Sequence, residues 1–189
     1  MQARSIISCM LFPVRFLGQQ ATFALGTRGK AGPFYVSMSP QPDGGTRWVT
    51  KITAALEVLE RVNPMRYSFL VRGVTRFVIL PRQRSVYYRE TRTAYLSESL
   101  VQTRTPATIA VVLVDVSVRA EFALRTRARV YDRRAQARLT RRGALAQAGF
   151  SQRLSARGYS EGAPLYAHYR ARADDLDCSG QVITESPPA

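Results

Sequence analysis

Histidine, cysteine and lysine are nearly missing from this chain. One histidine, His168, occurs in 189 residues. A zinc site built on two or three histidines is therefore impossible within one chain. The two cysteines, Cys9 and Cys178, lie near opposite ends, with no CxxC and no disulfide framework. A single bridge joining the ends is one reading; a reduced, cytoplasmic compartment is the simpler one. Only Lys30 and Lys51 are lysines, and no acidic residue precedes Asp43. No GxxxxGK[ST] or GxGxxG run is present, which argues against a P-loop or a dinucleotide fold. Ser117, Ser151 and Ser155 lack a GxSxG elbow, which argues against a serine hydrolase. The apolar stretch Ile6–Leu17 is broken by Pro13 and Arg15 and is too short for a transmembrane helix.

What remains is a basic, foldable chain. It is 46% hydrophobic and 10% aromatic, enough to bury a core, and its length suits one domain. Lys and Arg total 28 against 13 Asp and Glu, a formal net charge of +15. Such a charge attracts nucleic acid, anionic membrane surfaces and acidic substrates. Arginine in place of lysine, with abundant alanine, is also what GC-rich coding produces, and the two explanations stand side by side.

Three regions follow from composition. Residues 1–46 read as a poorly ordered basic N-terminal extension, with a targeting or membrane-associated segment as the alternative. They end in a linker at Ser37–Thr46, dense in Pro, Gly and Ser. Residues 47–172 read as a single α+β domain. Residues 173–189 read as an acidic and then Pro-rich solvated tail.

Within the domain, Ile52, Ala55, Leu56, Leu59 and Val62 recur at helical spacing and predict a helix over Thr50–Val62, capped by Thr50 and stopped by Asn63-Pro64. Tyr67–Leu96 reads as a small, mainly antiparallel sheet of three or four strands. Thr105-Pro106 supplies an N-cap and a first-turn proline for a helix buried nearly all round; a buried strand over Ile109–Val118 is the rival reading. Asp132–Arg157 predicts a second long, arginine-rich helix ended by Gly158. Pro164–Arg172 predicts a third.

This order of elements resembles a family of small bacterial HExxH zinc-peptidase-like domains. The resemblance rests on ALEVLERVNPMR at 55–66, the strand VTRFVILP at 74–81, RTPATIAVVLV at 104–114, and RRAQARLTRRGALAQAGFSQRL at 133–154. It covers roughly Thr50–Gly158 and implies a zincin-like helix pair. The family's metal motif does not carry over. Its first histidine falls at Asp115, its glutamate at Val116, its second histidine at Arg119, and its third, acidic ligand near Gln136. A guanidinium has no lone pair for a metal, and a valine is no general base. A non-catalytic relative, with no metal and no cofactor, is the expectation.

Two local expectations follow. Asp115 and Arg119 are four apart and would share a helix face, forming an ion pair where a zinc site would otherwise be; the rival reading has both pointing to water. Ten arginines lie between Arg125 and Arg157, opposed only by Asp132. They do not fall on one stripe, and no RNP-like or helix-turn-helix signature accompanies them. Arg133, Arg134, Arg138, Arg141 and Arg142 are the candidates for gripping a polyanion, nucleic acid or anionic lipid, against the alternative of a solvated charged face. No cysteine or acid adjoins His168 to orient it, so it reads as a surface or packing residue.

Overall fold

The computed structural model of the chain describes residues 27–38, 45–81, 85–126 and 133–178. The fold is α+β. Five strands, β1 (Thr27–Ala31), β2 (Phe34–Met38), β3 (Arg76–Leu80), β4 (Val86–Tyr88) and β5 (Thr93–Ser97), form one sheet in the order β1-β2-β3-β5-β4. Among the described residues six helices accompany it: α1 (Thr46–Val62), α2 (Pro64–Gly73), α3 (Glu98–Thr103), α4 (Pro106–Arg125), α5 (Arg133–Ala156) and α6 (Gly162–Cys178).

The sheet is mixed. Its two outer pairings, β1 with β2 and β4 with β5, are antiparallel, while β2–β3 and β3–β5 are parallel. The antiparallel expectation therefore describes the edges and not the centre. The parallel pairing of β2 with β3 arises because α1 and α2 carry the chain between them, as a crossover must. All of β5 and the middle of β3 are buried, as expected of parallel strands covered on both faces.

Three expectations are corrected here. Tyr67–Arg72 is not a strand but part of α2. Asn63-Pro64 ends α1 and also starts the next helix: the Asn63 side chain accepts from the Arg66 N–H at 3.3 Å, and Pro64 occupies the first turn. Residues 27–38, assigned above to the N-terminal extension and linker, are a hairpin of the sheet. Gly32-Pro33 makes its two-residue turn, with Gly32 at φ 55°, and Phe34, Val36 and Met38 point inward at period two. Helix α6 likewise runs on through the start of the expected tail, with Ala173 fully buried. Gly45 and Thr46, at the end of the expected linker, begin α1. Residues 1–26 and 39–44, the end of the tail, Asp132 and the side chain of Cys178 lie outside the described residues.

Helix α4 is the axis of the domain. Thr105 caps it by accepting from the Thr108 N–H, and Pro106 opens it, so the helical reading holds over the strand. Ile109, Ala110, Val111, Leu113, Val114, Val116, Val118 and Ala120 are all buried, because α1, α2 and α5 pack around it. Close approach is bought with small residues. A Cβ at Gly73 would fall 2.5 Å from the Cβ of Ala120, so α2 meets α4 almost backbone to backbone. Lys51 on α1 donates to the carbonyls of Val101, Gln102 and Arg104 at 3.0, 2.7 and 3.1 Å, satisfying the open end of α3. No helix among the described residues is long and apolar enough to cross a membrane.

Candidate functional site

Asp115 and Arg119 sit mid-helix on α4, and their side chains meet. Arg119 Nε donates to Asp115 Oδ2 at 2.7 Å, with the two side chains 21% and 25% exposed. The other carboxylate oxygen faces α5, where a Cβ at Gly143 would fall only 2.0 Å from Oδ1. The chain thus presses α5 against Asp115 at Gly143, a position that has no side chain. Tyr169 of α6 closes the neighbourhood. Burial pushes its hydroxyl up from 10.0, Arg172 opposes that shift, the charge of Asp115 adds to it, and Arg104 opposes it.

Gln136 is not part of this group. The Gln147 amide donates to the Val111 carbonyl at 3.1 Å, and Gly143 meets Asp115, so α4 and α5 run antiparallel. That register sets exposed Gln136 level with Phe122, about two helical turns from Asp115. Among the described residues, no three His, Cys, Asp or Glu side chains come together in a group that could hold a metal ion. His168 is exposed and stacks edge-on against Tyr169, ring centroids 4.9 Å apart.

A second ionic centre on α4 has no counterpart in the sequence expectations. Glu121 is 2% exposed, and three arginines converge on it. Arg66 of α2 donates to Oε2 at 2.7 Å. Arg142 of α5 donates to both oxygens, at 3.0 and 3.1 Å, and Arg125 pairs with Oε1 at 3.0 Å. Arg66 and Arg125 also lie over the ring of Phe69, 5.9 and 5.5 Å from its centroid. Burial pushes the Glu121 carboxyl up, but the Arg66 hydrogen bond and the charges of Arg142, Arg66 and Arg125 outweigh it. The net effect holds the group below its ordinary 4.5. The one available signal in the sequence was Glu121–Arg125, the same four-residue spacing as Asp115–Arg119.

The arginine-rich helix divides into faces. Arg134, Arg138, Arg141 and Arg142 fall at i, i+4, i+7 and i+8, one stripe turned away from Gly143 and Gln147. Arg134, Arg138 and Arg142 are exposed, and Arg141 is half-buried. Arg157 is spent elsewhere, donating to the Arg61 carbonyl at 2.7 Å. The side chain of Arg133, and Arg127 and Arg129, lie outside the described residues. No family model, curated protein or solved structure matches this chain.

Proposed function

We propose that the chain is a non-catalytic relative of the HExxH zinc-peptidase-like domains, with an Asp115–Arg119 ion pair at the position of the metal. The observation that carries this reading is the 2.7 Å contact between Arg119 Nε and Asp115 Oδ2. Zinc needs open lone pairs from three protein ligands. Here one oxygen of the single carboxylate is engaged by a guanidinium, the other lies against the backbone at Gly143, and Gln136 stands two turns away. These residues do not fit zinc, and no step through a metal is derived. The test is metal analysis of purified protein after dialysis, together with a peptide-cleavage assay in added zinc. Neither bound metal nor cleavage is expected. Stoichiometric zinc with metal-dependent cleavage would overturn the reading.

One observation favours a second reading, a basic module that binds a polyanion. Four arginines of α5 share one stripe, in a chain of net charge +15. Such a surface binds phosphate backbones without sequence preference and weakens with salt. A generic oligonucleotide is expected to bind at about 50 mM salt and to release as salt rises. No binding at the low-salt end would remove this reading.

A further inference from the structure

Three guanidinium groups share one carboxylate at Glu121, so the centre carries a net surplus of two positive charges. Arg66 is largely buried and serves to hold Glu121. Arg125 and Arg142 are different: their side chains are 63% and 48% exposed. Each offers one nitrogen, Nη2, to the same oxygen, Oε1, so the two groups are neighbours. Among the described residues, Arg142 hydrogen-bonds through Nη2 alone, and the Arg125 contact with Glu121 is an ion pair. An arginine held at one corner against a buried carboxylate, by hydrogen bonds for Arg142 and by an ion pair for Arg125, has part of its ordering cost already met. Phe69 adds a further constraint beneath Arg125.

We propose that Arg125 and Arg142, held in place by Glu121, form a binding site for one phosphate group. The chemistry suits that ligand. A phosphate oxyanion presents several acceptor oxygens to two planar donors and neutralises the surplus charge that Glu121 leaves. The α5 stripe leads to the same place, since exposed Arg138 stands one turn before Arg142. The proposal rests on the polyanion reading for its ligand class, and it places the grip at a named junction of α4 and α5. The phosphate comes either from a nucleic-acid backbone or from a free phosphate compound.

The test uses the full chain and two probes, a fluorescein-labelled single-stranded oligonucleotide and inorganic pyrophosphate. Arg125→Gln leaves Arg66 and Arg142 on Glu121, so this variant keeps the centre satisfied and its fold is checked by circular dichroism. It is expected to weaken binding about tenfold and to lower the salt slope by about 0.7. Arg142→Gln is expected to do the same. Arg153→Gln, an exposed arginine at the far end of α5, should change neither. Loss for both probes identifies a phosphate site that also serves nucleic acid; loss for pyrophosphate alone, with no oligonucleotide binding by any protein, identifies a free phosphate ligand. If the oligonucleotide binds and responds to Arg134→Gln and Arg138→Gln but not to Arg125→Gln, the site proposal falls and the stripe reading stands. If neither probe binds the unmodified chain, both fall.

Discussion

Two carboxylates on one helix have opposite circumstances. Asp115 and Glu121 are six residues apart on α4, about 120° around its axis. Each has an arginine four residues on, and in sequence the two pairs are indistinguishable. Asp115 stays partly exposed and has one guanidinium. Glu121 is buried and has three. The second and third partners come from α2 and α5, 55 and 21 residues away in the chain. Burial, not spacing, decides how many partners a charge needs. A carboxylate removed from water must have its lone pairs met, whereas one at the surface can leave part of the work to solvent.

That contrast predicts its largest effect at Glu121. Glu121→Gln removes the only anion from a cluster containing the nearly buried Arg66. Breaking such a buried pair costs about 3–5 kcal/mol, measured by urea unfolding. The loss should depend on pH. The folded-state carboxyl is held below 4.5, so its stabilisation is complete above that pH and fades as pH falls through the lowered folded value. The gap between the two proteins should therefore narrow in acid. A loss under about 1 kcal/mol at neutral pH would place Glu121 with the surface pairs.

The same contrast marks how far the sequence could be read. The helical course of α4, its Thr105 cap and the Asp115–Arg119 contact were legible because all three depend on residues within a few positions. The strands β3, β4 and β5 were legible from apolar runs between turns. The hairpin of β1 and β2 was hidden because its outer residues are Arg28 and Lys30, so only Gly32-Pro33 and the alternation of Phe34, Val36 and Met38 marked it. Helix α2 was hidden because Asn63-Pro64 serves as both stop and start. The Glu121 centre was hidden for the deepest reason: its partners belong to three helices, and only packing brings them together.

Glycines on α5 test the Asp115 side of the comparison. A methyl at 143 collides with Asp115 Oδ1, so Gly143→Ala should force the carboxylate off Arg119. Overpacking costs about 1–3 kcal/mol, and helix propensity returns about 1, leaving a net loss near 1. With Asp115→Ala already present, the same change should stabilise. Gly149 has open space around it, so Gly149→Ala should stabilise by about 0.5–1 kcal/mol. Thermal unfolding of the unmodified chain, the three single variants and the double variant reads both signs, and a stabilising Gly143→Ala in the unmodified chain would mean that α5 does not press on Asp115.

The smallest effect belongs to the pair that the sequence made most conspicuous. Asp115 precedes Arg119 by four residues, the orientation that suits the helix dipole, yet both side chains keep about a quarter or less of their surface in water. A double-mutant cycle with Asp115→Asn and Arg119→Gln should give a coupling of roughly 0.3–1 kcal/mol, falling as salt is raised. Asp115 also acts on Tyr169, whose hydroxyl lies above its ordinary 10.0 partly because of that charge. In Asp115→Asn the phenol should ionise at lower pH, seen as an earlier rise in tyrosinate absorbance. A coupling above about 2 kcal/mol with no salt dependence would place the pair in a setting as dry as that of Glu121, and the distinction between the two carboxylates would then disappear.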